Sequence, residues 1–380
     1  LGDVYKRQVK ATGDDVFYHN PVIKPTHWGP EEQGWWLAAG GMEWCFPVDE
    51  HGYHWGTPWE YALSTTSQGI TVTLSDTTAS SRVRARITVH LPADRASFQV
   101  TPRLENPGSV PRVVRFWHNA MLAPGGSNTV GPELRFAVPI DQVTVHSRGD
   151  SYLPGDGEPM DWPEHGGTDF SRLGNWNRWL GFFARPQAAQ NWVGVYDEES
   201  RRGIARVFPH QVALGAKAFA FGWEDPLDWH LWTDDGSTYV ELHGGPSPTF
   251  WDGFVLSPGQ ALEWTETWLP LHDLPALSLS ASDMALGLRA EAGDVSLGVQ
   301  VSGERKDTSL RLWRGSDCGL LWREDGLDLA AGEAWTHTVR DIGLGTGEVV
   351  LAVLPEGRLL AATGDISCPP PTSEIDAIDS

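Results

Sequence analysis

The sequence predicts an all-β chain of two sandwiches, and three observations carry that reading. Apolar and polar residues alternate through Ile70–Leu74, Arg82–Leu91 and Ser97–Asn106, the period that turns one face of a strand to a core and the other outward. Turn chemistry separates such runs at Asn106-Pro-Gly, Ala123-Pro-Gly-Gly, Leu153-Pro-Gly-Asp-Gly and Ser257-Pro-Gly, because Pro presets φ and Gly takes positive φ at no steric cost. No stretch holds the 3.6-residue period of a helix beyond two turns, which leaves strands as the building material.

In order along the chain, Leu1–Gln8 (LGDVYKRQ) has no initiator Met and looks like the translated adapter fragment found at the ends of metagenomic genes. Residues 9–272 form the first domain. Near Leu269–Pro275 the tryptophan density falls and short strands begin, among them Ser296-Leu-Gly-Val-Gln-Val, Ser309-Leu-Arg-Leu-Trp and Glu348-Val-Val-Leu-Ala-Val. Residues 277–366 have the size and strand spacing of a small immunoglobulin-like sandwich. Residues 367–380, with Cys368-Pro-Pro-Pro followed by acids, read as a Pro-stiffened acidic tail.

Composition narrows the ligand. Twenty Trp stand against seven Tyr and thirteen Phe, and indole offers a flat apolar face for a sugar ring with one N–H at its rim. Trp35, Trp36, Trp55, Trp59, Trp162, Trp176, Trp179 and Trp251 lie in polar, Gly/Pro-rich segments and are the candidate platforms; core packing of a large sandwich is the competing use. A formal charge of −22 argues against nucleic acid, which needs a concentrated basic footprint. No polybasic cluster suits an anionic membrane, and no apolar run is long enough to span one. Three cysteines without short spacing indicate neither a disulfide framework nor a Cys-based zinc site, in keeping with a reducing, cytoplasmic setting. Glu50, His51 and His54, with His19 and His27 upstream, lack metal-ligand spacing and read as a solvated or sugar-contacting loop, so no metal is expected. P-loop, dinucleotide and Gly-x-Ser-x-Gly patterns are missing, so no cofactor is expected either.

Three segments carry a resemblance. Gly40-Gly41-Met42-Glu43-Trp44-Cys45-Phe46-Pro47 resembles the Gly-Gly-x-Pro-x-Cys-Phe-Pro stretch of the hexose-6-phosphate branch of the aldose 1-epimerase (galactose mutarotase) family, with Glu43 in place of Pro. Leu104 to Ala120, through Asn106-Pro-Gly and Trp117-His118-Asn119, is similar to the strand, turn and strand that deliver that family's catalytic His. Thr238-Tyr-Val-Glu241-Leu-His243, followed by Leu256-Ser-Pro-Gly and Trp264-Thr-Glu-Thr-Trp, is similar to the strand carrying the catalytic Glu and its closing turn. The tone is nearer still to uncharacterised bacterial mutarotase-like domains that are often joined to tetratricopeptide repeats. The resemblance implies a galactose-mutarotase-like β-supersandwich over 9–272, with Glu241 as general base and His118 as general acid.

The residue types suit that chemistry. Exchanging the anomers of a sugar requires removal of the O1 proton and protonation of the ring oxygen, and a carboxylate and an imidazole supply both. Strand alternation puts Glu241 and His243 on one face, and likewise Trp117 and Asn119; by the same rule His118 faces away from Trp117 unless a bulge intervenes. The expected binding set is Trp36, Glu43, Trp44, His54, Trp59, Trp117, Asn119, Trp162, Asp169, Trp179 and His243, taking a mono- or oligosaccharide. Two alternatives stay open: a non-catalytic carbohydrate-binding module, and a glycoside hydrolase or lyase that pairs Glu241 with Glu43 or Asp169.

Overall fold

The computed structural model describes residues 13, 15–29, 33–46, 51–52, 58–76, 83–185, 190–291, 293–314 and 319–342, with the backbone of 350–353 and 359–362. The adapter-like Leu1–Gln8, His54, Trp55 and the tail 367–380 lie outside the described residues. Two compact units are present: Leu1–Ala93 with Phe98–Trp268, and Asp94–Ser97 with Leu269–Ser380.

The strands of the first unit are β1 (Met42–Cys45), β2 (Glu60–Thr66), β3 (Gly69–Ser75), β4 (Arg84–Pro92), β5 (Phe98–Glu105), β6 (Arg112–Val114), β7 (Trp117–Leu122), β8 (Leu134–Ala137), β9 (Gln142–His146), β10 (Pro159–Asp161), β11 (Glu164–His165), β12 (Thr168–Asp169), β13 (Leu180–Ala184), β14 (Trp192–Asp197), β15 (Arg202–Val207), β16 (Gly215–Ala220), β17 (Val240–Gly245), β18 (Phe254–Leu256), β19 (Ala261–Glu263) and β20 (Glu266–His272). They build a seven-stranded sheet in the order β1-β7-β17-β16-β13-β9-β10 and a nine-stranded sheet in the order β2-β3-β4-β5-β20-β15-β14-β8, with β19 also on β5. The three alternating runs of the sequence are β3, β4 and β5. Asn106 anchors its turn by donating from Nδ2 to the carbonyls of Val110 (2.8 Å) and Leu256 (2.9 Å), which ties the turn before β6 to the end of β18. Single turns of 3-10 helix at Leu173–Asn175 and Trp229–Leu231 are the helical pieces among the described residues, and none of their helices is long and apolar enough to cross a membrane.

Between the two sheets, alternate residues form one core. Ala120, Leu122, Val240, Leu242, Phe182 and Val145 come from the seven-stranded sheet, and Ile87, Val100, Ile204 and Trp268 from the other. A charged cluster sits inside this apolar layer. Arg206 on β15 donates from Nε to Glu266 Oε2 and from Nη2 to Oε1, each at 2.7 Å, and both side chains are wholly buried. Trp264 Nε1 adds a bond to Oε1 at 2.8 Å, and His118 Nε2, from the facing sheet, one to Oε2 at 2.8 Å. Burial alone would raise the Glu266 pKa, but Arg206 first and His118 second hold it well below the ordinary carboxylate range. Gly244 makes the space: a Cβ there would stand 2.2 Å from the Arg206 guanidinium.

The second unit contains β21 (Leu279–Ala281), β22 (Met284–Glu291), β23 (Asp294–Val301), β24 (Arg305–Arg314), β25 (Leu320–Leu329), β26 (Ala334–Val339), β27 (Val350–Val353) and β28 (Leu359–Ala362). They form two four-stranded sheets, β21-β22-β23-β26 and β25-β24-β27-β28. Leu286, Leu297 and Val299 of the first sheet and Leu310, Leu312 and Leu329 of the second share one core. The division from the first unit falls inside β20, after Trp268.

Removing one partner of a buried ion pair strands the other charge without solvent, at a cost of about 3–5 kcal/mol. Arg206→Met is therefore expected to lower stability by that amount in urea unfolding, and a variant within about 1 kcal/mol of wild type would contradict the role given to the pair.

Candidate functional site

The outer face of the seven-stranded sheet carries the site. Residues paired directly across antiparallel strands share a face, and the register reads Glu43 opposite Asn119, Asn119 opposite His243, and His243 opposite Lys217. Two residues along lies a second row: Glu241 opposite Phe219, Phe219 opposite Gly181, and Gly181 opposite His146. Above these rows is a cavity of about 370 Å³, lined by Trp28, Trp36, His51, His146, Arg148, Trp179, Lys217, Phe219, Phe221, Leu227, Leu231 and Glu241. Aromatic and aliphatic walls with a few convergent polar groups are the usual make-up of a small-molecule pocket.

Glu241 sits at the floor. Asn119 Nδ2 donates to its Oε1 at 2.9 Å, and His243 Nε2 donates to its Oε2 at 2.9 Å. Burial raises its pKa above the ordinary glutamate range against the opposing effects of His51, Asn119 and Lys217. Glu43 is also raised by burial, and the charge of Glu241 pushes the same way. Its carboxylate accepts from Trp36 Nε1 at 3.2 Å to each oxygen and faces His51 Nδ1 at 3.4 Å. His51 stacks on Trp36 with ring centroids 4.1 Å apart, and its backbone holds φ at 58°. A left-handed non-glycine residue is strained and marks a position held by its surroundings. Gly52 follows because a Cβ there would meet the Phe46 nitrogen at 2.6 Å.

The opposite wall is basic and aromatic. His146 is pushed down to about 2 by burial, then by Lys217 and His243, so it is a neutral imidazole at working pH. Arg148 lies over the Trp179 ring at 5.5 Å, a cation–π geometry. Gly181 leaves space for this wall, since a Cβ would stand 2.7 Å from Lys217 Cε and 3.3 Å from the His146 ring.

Of the residues expected from sequence, Trp36, Trp179 and Glu241 line the cavity, while Glu43, Asn119 and His243 hold or adjoin its floor. His118 is corrected: it shares β7 with Asn119 but has the opposite parity, so it points between the sheets to Glu266, where burial makes it a weaker base. Trp44 pairs with His118 and has the same inward parity, meeting that imidazole edge-on at 6.4 Å. Trp117 keeps the outward parity but is sealed beneath Phe183 and Phe250. Trp59 and Trp162 join the core, the latter donating to the Val138 carbonyl. Asp169 is occupied by Arg135 and Ser171, which also hold its pKa down against burial. Sequence reasoning missed Trp28, His146, Arg148 and Lys217, and it left His51 in a loop. Among the described residues no group of three His, Cys, Asp or Glu gathers as a metal site.

A family model described as a domain of unknown function matches residues 1–271. The chain belongs to that family, DUF5107. No curated protein matches this DUF5107 member. Among solved structures it is similar to a TPR-domain containing protein from Parabacteroides distasonis, at 23% identity and a TM-score of 0.58, over 72% of this chain and 45% of that one. The DUF5107 chain thus spans less than half of that protein's length. It is also similar to a galactose mutarotase related enzyme from Lactobacillus acidophilus (11% identity, TM-score 0.45, 69% of this chain and 91% of that one). A galactose mutarotase-like protein from Clostridium acetobutylicum follows at 8% identity and a TM-score of 0.44, over 68% and 78% of the two chains.

A carboxyl whose folded pKa is raised contributes stability below its unfolded pKa and loses it as pH rises through the folded value. Glu241→Gln in the DUF5107 unit is therefore expected to raise Tm at about pH 8 and to change it little at about pH 4. A shift of equal size at both pH values would show that burial of the charge is not the cause.

Proposed function

We propose that the cavity binds a pyranose and that Glu241 and His51 move protons at it, the chemistry of an aldose epimerase-type isomerase. The observation that carries this reading is the meeting, in one cavity, of the half-buried indoles Trp28 and Trp179 with a buried carboxyl of raised pKa. Indole faces take the apolar side of a sugar ring, and a carboxyl shifted toward neutrality is a competent base where its ionised form is present. In the proposed cycle Glu241 accepts the O1 proton as the bond from C1 to the ring oxygen breaks. His51, braced by Glu43 and Trp36, gives a proton to that oxygen. After rotation about C1–C2 the carbonyl presents its other face, the ring oxygen returns its proton to His51 as it attacks, and Glu241 returns its own to O1. Atoms and charges balance over the cycle. Asn119 and His243 keep the Glu241 carboxylate oriented through their bonds to its two oxygens.

The hydrolase alternative needs a second carboxyl open to the ligand, but Glu43 is taken up by Trp36 and His51, and Asp169 by Arg135 and Ser171. The binding-module alternative shares the cavity and omits the proton transfers, so kinetics separate the two.

One-dimensional NMR on freshly dissolved α-glucose, α-galactose and their 6-phosphates is the test. Wild type is expected to accelerate anomer exchange with at least one of them, and Glu241→Gln and His51→Asn each to slow it by about 10²–10⁴. His118→Asn is expected to keep the rate per folded molecule within a few-fold. Since the base must be ionised, activity should fall as pH drops through a midpoint above the ordinary glutamate range. Sugar binding with no acceleration would reduce the proposal to a binding module.

A further inference from the structure

Trp251 is 46% exposed, and among the described residues only Trp223, at 41%, is another tryptophan that open to solvent. Indole burial is worth more than that of most side chains, so leaving nearly half of this ring in water forfeits stability. The ring is nonetheless held in place. Its backbone N–H donates to Thr249 Oγ1 at 3.2 Å, and that hydroxyl donates to Asp252 Oδ2 at 2.8 Å. One side of the ring leans on Phe183, centroids 5.4 Å apart, and it meets His146 edge-on at 5.9 Å. His146 lines the cavity and touches Trp179 on another side at 5.4 Å. Trp179, His146 and Trp251 therefore form a continuous chain of aromatic contacts from the cavity lining to an exposed indole. Among the described residues, His146 Nδ1, along this path, is a buried polar atom with no hydrogen-bond partner.

We propose that Trp251 is an outer saccharide subsite continuous with the cavity, so that the site prefers the reducing end of an oligosaccharide or polysaccharide to a free monosaccharide. This rests on the saccharide reading of the cavity. The terminal unit occupies the cavity between Trp28 and Trp179, and the neighbouring unit stacks on Trp251.

Calorimetric titration of the full chain with D-glucose, cellobiose and cellotetraose, and with the matching galactose, mannose and xylose series, tests both levels. In one series affinity is expected to rise about tenfold or more from mono- to oligosaccharide, the scale of one aromatic contact of about 1.4 kcal/mol. Trp251→Ala should remove that gain and leave the monosaccharide affinity within about twofold, while Trp251→Tyr should keep most of it. Affinity independent of length, or an equal loss for mono- and oligosaccharide in Trp251→Ala, would overturn the outer subsite and leave the cavity reading standing. No binding of any member of any series by wild type would overturn the saccharide reading itself, and the subsite with it.

Discussion

The Arg206–Glu266 ion pair, closed between the two sheets with His118 and Trp264 on the same carboxylate, is the constraint on which the site depends. Burying two charges in an apolar layer is tolerable only when nearly every lone pair and proton is matched, and here the Glu266 carboxylate has four donors. Two of the requirements fall on the seven-stranded sheet: an imidazole at 118, and no side chain at 244. Both positions must face inward. A one-residue slip of β7 or β17 would expose His118 and bring Glu241 and His243 into the core. The network thus sets the parity that turns Asn119, Glu241 and His243 outward to the cavity.

The outward face has the opposite electrostatic character. Inside, Glu266 is ionised and satisfied; outside, Glu43 and Glu241 are buried carboxyls whose charged forms are disfavoured. Two carboxyls raised by burial beside one cavity are the feature on which the proposed site rests. The left-handed His51 and the clearance at Gly181 belong with them, because each is a local cost that places a polar group against the cavity. Lys217 stands beside His243 on the next strand, with His146 and Arg148 farther across the sheet, so one cavity brings a buried carboxyl and a basic wall together.

Much of this was legible in the chain. Period-two patterning located β3, β4 and β5, and parity along β17 joined Glu241 to His243. The same parity argument warned that His118 and Trp117 face opposite ways, and β7 runs without the bulge that would have reconciled them. What sequence did not disclose depends on pairings distant along the chain. Glu266 and Arg206 read as ordinary strand charges until β20 and β15 are adjacent. Lys217 and His146 lie on strands whose order in the sheet no local pattern specifies. Tryptophan abundance pointed to a sugar, yet Trp59, Trp162 and Trp176 pack in or against the core, because a sandwich of this size uses large aromatic side chains to fill it. Trp28 and Trp179 differ from Trp162 and Trp176 only in where tertiary folding leaves them.

The proposed sugar contact lies over the outward face of the seven-stranded sheet, at Trp28 and Trp179. Titrating a saccharide into protein labelled with ¹⁵N at the indole nitrogens reads it most directly, with Trp28, Trp179, Trp264 and Trp268 assigned by substitution. Progressive shifts of the Trp28 and Trp179 indole resonances are expected, while those of the inter-sheet Trp264 and Trp268 stay fixed. Shifts of Trp264 and Trp268 with Trp28 and Trp179 unmoved would contradict it.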